Sequence, residues 1–139
     1  MTFGAIHEME AAQGYRRLIA LADHPVLTYI VNGIIREEAV HAQFYRSVAR
    51  IELEGNECAQ KMARWVIEHF WAPVGQGSLA KARTEYTIAT LFAADNAIEG
   101  LDKTVTQLVR LLPGFEGITK ITDTIGEMAG HAPMKFEAA

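Results

Sequence analysis

The sequence predicts an all-α domain, and three observations carry that prediction. Half of the 139 residues are apolar, enough for one real core in a single domain. Aromatic residues make up only 9%, and alanine, leucine, glutamate and arginine, which favour helix over strand, are plentiful. The apolar positions recur at steps of three and four, and nothing reads as a strand.

A first helix covers residues 5–22, with Ala5, Ala12, Tyr15, Ile19 and Ala22 on one stripe. Asp23-His24-Pro25 follows. Asp is a good N-cap, and a proline in the first turn costs no hydrogen bond. The second helix is long, residues 25–54, and its stripe runs Leu27, Ile30, Ile34, Glu38, His41, Tyr45 and Val48. Gly55-Asn56 ends it. A third helix, 57–71, is expected to bury Met62, Trp65, Val66 and Phe70, with His69 as a satisfied core histidine and Cys58 as a small core residue. Residues 72–77 hold one proline and two glycines and form a loop. Ser78 is expected to cap a fourth helix reaching residue 96. A fifth covers 101–112 and stops at Pro113-Gly114, and a shorter sixth spans 117–129. The last ten residues read as frayed. The whole chain, 1–139, is then a single domain: a hairpin over 5–54 and further helices over 57–129.

Charge and composition exclude several functions. The net charge is −4 and the pI about 5.7, so no basic stripe is available to neutralise nucleic-acid phosphates. No apolar run reaches the ~20 residues needed to span a bilayer, and the N-terminus lacks a signal segment. The single cysteine forms no internal disulfide and no zinc spacing. A soluble protein of the reducing cytoplasm is expected, with neither nucleic acid nor membrane as partner.

The informative anomaly lies on the second helix. Glu38 and His41 are three positions apart, one turn along the same face, on the stripe expected to point inward. Glutamate is almost never fully buried unless it is paired or bound to a cation. The first helix repeats the anomaly with Glu8, between Ala5 and Ala12. Glu10 falls instead on a flank with Ile6, Gln13 and Arg17 and is not chosen as a ligand. A short turn implies antiparallel neighbours. Glu8 lies about 15 residues before that turn, and Glu38 and His41 about 15 and 17 after it. At ~1.5 Å per residue all three stand about 22–27 Å from the turn, at one height. Two carboxylates and an imidazole suit iron or manganese. Bundles build dinuclear sites from one Glu on each of two helices and Glu-x-x-His on each of the other two. The hairpin supplies one such half, and no second glutamate has a histidine three residues later.

His7-Glu8-Met9-Glu10 through Gly14-Tyr15-Arg16-Arg17-Leu18, Asp23-His24-Pro25-Val26-Leu27, Ile35 to His41 and Phe44-Tyr45 together resemble the second helix pair of the ferritin-like di-iron carboxylate superfamily. Within it the chain is most similar to bacterial ferritin-like domains akin to acyl-carrier-protein desaturases. Phe70-Trp71-Ala72-Pro73-Val74-Gly75 fits the same group, so the resemblance covers residues 3–78. It implies a ferritin-like helical bundle built on the antiparallel hairpin, with additional shorter C-terminal helices. It implies that Glu8 ligates one iron, Glu38 bridges and His41 ligates terminally. Glu37 stands where the family pattern has Asp, as a partner orienting a histidine, and Val40 where it often has Arg. Tyr15 and Tyr45, one or two turns from the ligands, are the other residues that would line the site. The N-terminal helix pair of the family is absent, so a monomer cannot offer four carboxylates and two histidines.

Two uses of half a site follow. In the first, a homodimer brings two hairpins together around a di-iron, or di-manganese, centre. The resemblance then implies dioxygen-dependent oxidation, as oxidase, oxygenase, desaturase or ferroxidase, with an external electron donor. In the second, the chain is a non-catalytic helical remnant or partner module with a degenerate metal site, or a fragment of a longer protein whose missing N-terminal pair held the other half.

Overall fold

The computed structural model describes residues 1–130; residues 131–139, including His131 and the end expected to fray, lie outside the described residues, and of Asp95 the backbone alone is described. The chain is all-helical, and no strand occurs among the described residues. Its elements are α1 (Thr2–Ala22), α2 (Pro25–Leu53), α3 (Glu57–Phe70), α4 (Lys81–Phe92), α5 (Asp95–Leu101), a π-helical turn (Asp102–Thr106), α6 (Gln107–Arg110) and α7 (Lys120–Gly130). Among the described residues no helix is long and apolar enough to cross a membrane.

The hairpin forms as expected, but its turn is built differently. Asp23 does not cap α2; it ends α1 in the left-handed conformation, φ 43°, with its N–H bonded to the Ile19 carbonyl. His24 is the cap of α2, its Nδ1 accepting from the Leu27 N–H at 3.3 Å, and Pro25 occupies the first helical position. Asn56 caps α3 through its side-chain oxygen.

Small residues let α1 and α2 lie close. Ala5, Ala12, Ala42 and Ala49 are all buried, and a Cβ added at Gly4 would stand 3.3 Å from the Tyr45 ring. That contact fixes the register, with the start of α1 beside the middle of α2. The buried set of α2 is Val31, Ile35, Ala42, Ala49 and Leu53. Ile30, expected on the inward stripe, is 54% exposed, and His41 is exposed as well. The rotation has a physical cause: α4, α5 and the π-helical turn pack on α1, whereas α2 is covered mainly by α1 and, where it ends, by the start of α3.

The third helix departs most from expectation. Met62, Trp65 and Phe70 are 63%, 51% and 63% exposed, and Ile67 is its one buried residue. Cys58 and His69 are exposed too, and His69 Nδ1 bonds its own helix at the Trp65 carbonyl. Ala59, Ala63 and Ile67 turn toward the core, so among the described residues the more apolar side of α3 has no helix against it.

Ser78 caps no helix: its hydroxyl donates to the Gly75 carbonyl within a turn, and α4 starts three residues later with Ala80 as N-cap. The expected helix over 101–112 lies within a longer helical run that begins at Asp95 and contains the π-helical turn. That run, the turn after it and α7 share a core in which Leu101, Val105, Val109, Phe115, Ile121 and Ile125 are wholly buried. Arg110 clamps this unit. It pairs with both oxygens of Asp102 at 3.1 and 3.2 Å and donates to the Ile118 carbonyl, while the Thr122 hydroxyl donates to Asp102.

Gly114 and Gly117 turn the chain into α7, both with positive φ. A Cβ at Gly114 would meet the Gln60 Cβ at 2.5 Å, whereas one at Gly117 would meet open space. Gly117→Ala is expected to cost about 1 kcal/mol, the left-handed penalty alone. Gly114→Ala should cost about 2–3 kcal/mol, because the clash adds to that penalty. Urea denaturation of both variants checks the order.

Candidate metal centre

Register and helical periodicity together assemble the cluster. Glu8 on α1 faces α2 beside the Gly4–Tyr45 contact, and Glu38 and His41, one turn apart, present side chains at that level. The structure brings all three together: one ligand atom from each lies within 4.8 Å of the others. His41 Nδ1 is 3.8 Å from Glu38 Oε2 and 4.0 Å from Glu8 Oε2. Metal–nitrogen and metal–oxygen bonds are about 2.0–2.2 Å, so donors around one ion stand about 3–4 Å apart. Small side-chain rotations would close this set on one cation.

The cluster is not buried in the core. The Glu8 and Glu38 side chains are 25% and 19% exposed and His41 is 58% exposed. It lies along one edge of the hairpin and opens outward. The Glu38 carboxyl is held above its ordinary pKa, first by hydrogen bonding with Glu8, then by burial and by repulsion from the Glu8 charge; His41 opposes these effects. A cation between the two carboxylates would offset the repulsion that raises Glu38.

The residues expected around the ligands are dispersed. Glu37 is exposed and makes no hydrogen bond or ion pair among the described residues. Tyr15 borders a cavity on the other flank of α1, and Tyr45 packs under Gly4 and edge-on to Phe44.

Glu10, passed over in the sequence, is the most deeply buried acid of the described residues, at 6% exposure. Its two oxygens accept from the Val74 N–H at 3.1 and 3.2 Å. Burial outweighs that bond and the carboxyl is pushed up to about 8. The flank it shares with Ile6 and Gln13 is buried because residues 71–74 and α4 fold over it, and Arg17 on that side donates to the Leu91 carbonyl. Ile6 on the same flank is the signal in the sequence that marks it as inward. His7 is half-buried and donates to the Ala72 carbonyl at 3.0 Å. That bond ties the same segment to α1.

No protein-family model, no curated protein and no solved structure matches this chain.

Glu10 sets a pH dependence. The unfolded carboxyl releases its proton near 4.5, whereas the folded one keeps it to about 8. Between those values the unfolded chain binds fewer protons, so stability falls as pH rises through that window and levels off above it. The raised Glu38 acts in the same direction in the metal-free protein. Urea unfolding at pH 5 and pH 8 should show a loss on the order of a few kcal/mol. In Glu10→Gln most of that loss should vanish. Equal pH dependence in the variant would contradict the assignment.

Proposed function

We propose that this chain carries one half of a dinuclear iron or manganese carboxylate site, that a second copy supplies the other half, and that the completed centre serves dioxygen-dependent oxidation. One observation carries the reading. The Glu8–Glu38–His41 cluster opens beside an apolar seam of α2 that no part of the described chain covers.

That seam is built of Val26, Ile30, Val40, Phe44 and Ile51, all more than half exposed. With Gly33 and Glu37 they follow alternating steps of four and three up to Phe44, the spacing of helices that pack side by side in coiled coils. An exposed apolar strip of this regularity marks an association surface. A two-fold axis along the seam would make the contact isologous and present two clusters to each other. The sum is four glutamates and two histidines, the donor set that four-helix bundles use for two metals.

Each residue has a role in that arrangement. Glu8 and Glu38 supply the negative charge that offsets the cations, and the partner's seam would remove His41 from water. Ferrous iron, when bound, would supply the electrons that reduce dioxygen, and repeated turnover would need an electron donor. Oxidase, oxygenase, desaturase-like and ferroxidase chemistry all fit this centre. One observation favours the alternative of a non-catalytic helical module: Glu8 holds the Glu38 carboxyl above its ordinary pKa, so the cluster can close on a proton without a metal.

Molar mass by light scattering at neutral pH, with and without ferrous iron under nitrogen, separates the readings. The proposal expects a dimer with iron, and a monomer for Phe44→Glu, which places a charge in the seam. Glu38→Ala should weaken iron binding at least tenfold and leave the helical content unchanged. A chain that stays monomeric with saturating iron sinks the proposal.

A further inference from the structure

On the other side of the hairpin, away from the metal cluster, lies a cavity of about 460 Å³ between α1, α2 and the π-helical turn. At about 100° per residue, Glu8 and Met9 fall on the two sides of the Ala5/Ala12 contact line. The cluster opens past Glu8, and the cavity opens past Met9. Its volume lies in the range of small-molecule sites.

The lining divides by chemistry. The floor is apolar, formed by Met9, Ala12, Ala42 and Leu108, and the rim carries Arg16, Arg46, Lys103 and Gln43. No acidic residue lines it. In a chain of net charge −4, a cavity with three cations and no carboxylate is a local reversal of potential. Lys103 pairs with Glu99 on its own helical run, and among the described residues Arg16 donates only to the neutral Gln13 side chain. Arg46 makes no hydrogen bond or ion pair among the described residues.

A second, independent feature marks the same place. The wall carrying Lys103 and Thr104 is the π-helical turn Asp102–Thr106. Such turns are rare and recur at functional sites, because the wider turn re-aims side chains at the cost of regular hydrogen bonding. Here the turn carries Lys103 and Thr104 on the cavity wall.

We propose that this cavity binds a small phosphate monoester with a short apolar body, the phosphate on Arg46 in the combined field of Arg16 and Lys103 and the body on the Met9–Leu108 floor. The donors decide for phosphate over carboxylate. Three cations on a cavity with no carboxylate favour a dianion over the single charge of a carboxylate. A phosphate monoester brings three terminal oxygens and roughly two charges at neutral pH, and arginine meets it with two parallel hydrogen bonds. The inference does not rest on the metal reading, since none of the three ligands lines the cavity.

The test is isothermal titration of the full chain with n-hexyl phosphate, n-hexanoate, n-hexanol and inorganic phosphate. Hexyl phosphate is expected to bind one per chain and most tightly of the four. Arg46→Gln should weaken it on the order of tenfold, the loss of a charge-assisted contact. Arg36→Gln, which removes the same charge from the exposed side of α2, should leave it unchanged. Ala39→Phe, which keeps every cation and fills the mouth of the cavity, should abolish it. Retained binding in Ala39→Phe, or equal loss in Arg46→Gln and Arg36→Gln, would overturn the site. Hexanoate, hexanol or inorganic phosphate binding as tightly as hexyl phosphate would overturn the ligand class.

Discussion

The close antiparallel contact of α1 and α2 is the constraint on which the rest of the molecule depends. Alanines at positions 5, 12, 42 and 49, and the seating of Gly4 on the Tyr45 ring, bring the two helices together with little side chain between them. A larger residue at these places would move the helices apart and slide the register. Because the register holds, residues 30 positions apart in the chain share one level, and Glu8 meets Glu38 and His41. The same contact leaves two grooves along the hairpin. One is edged by the acids and His41, and the other by Arg16 and Arg46 and closed by the π-helical turn.

Electrostatics make the acidic edge the least settled part of the structure. Two like charges side by side disfavour each other, and the raised Glu38 carboxyl reflects its contact with Glu8. A proton shared by Glu8 and Glu38 relieves that repulsion, and a divalent cation relieves it more fully. The exposed seam from Val26 to Ile51 adds a hydrophobic demand on the same side. Both demands are met by one event if a second copy and metal arrive together, which is why metal binding and association belong to a single proposal.

Legibility followed the physics. The hairpin and the three-residue cluster could be read because they depend on local periodicity and on a short turn, both written in consecutive residues. Helix ends were read less well where several capping groups compete. Asp23 closes α1 in a left-handed conformation and leaves His24 to cap α2, and Ser78 is drawn into a turn with Gly75. Burial was misread where tertiary packing chooses among apolar faces. Trp65, Met62 and Phe70 form as apolar a stripe as any in the chain, yet α3 turns its small residues inward and leaves them in solvent. Glu10 was missed for the converse reason: its flank becomes interior only when residues 71–74, distant in sequence, fold over it. The π-helical turn has no signature in apolar spacing, and with it the basic cavity was invisible to the sequence.

The central claim is that Glu8, Glu38 and His41 form half of a dinuclear centre. The most direct measurement is metal per chain, by elemental analysis after anaerobic loading with ferrous iron and removal of excess. The account predicts one iron per chain, recovered entirely in the dimeric fraction, as two metals shared by two chains require. No retained iron, or one iron per chain in a monomer, would contradict it.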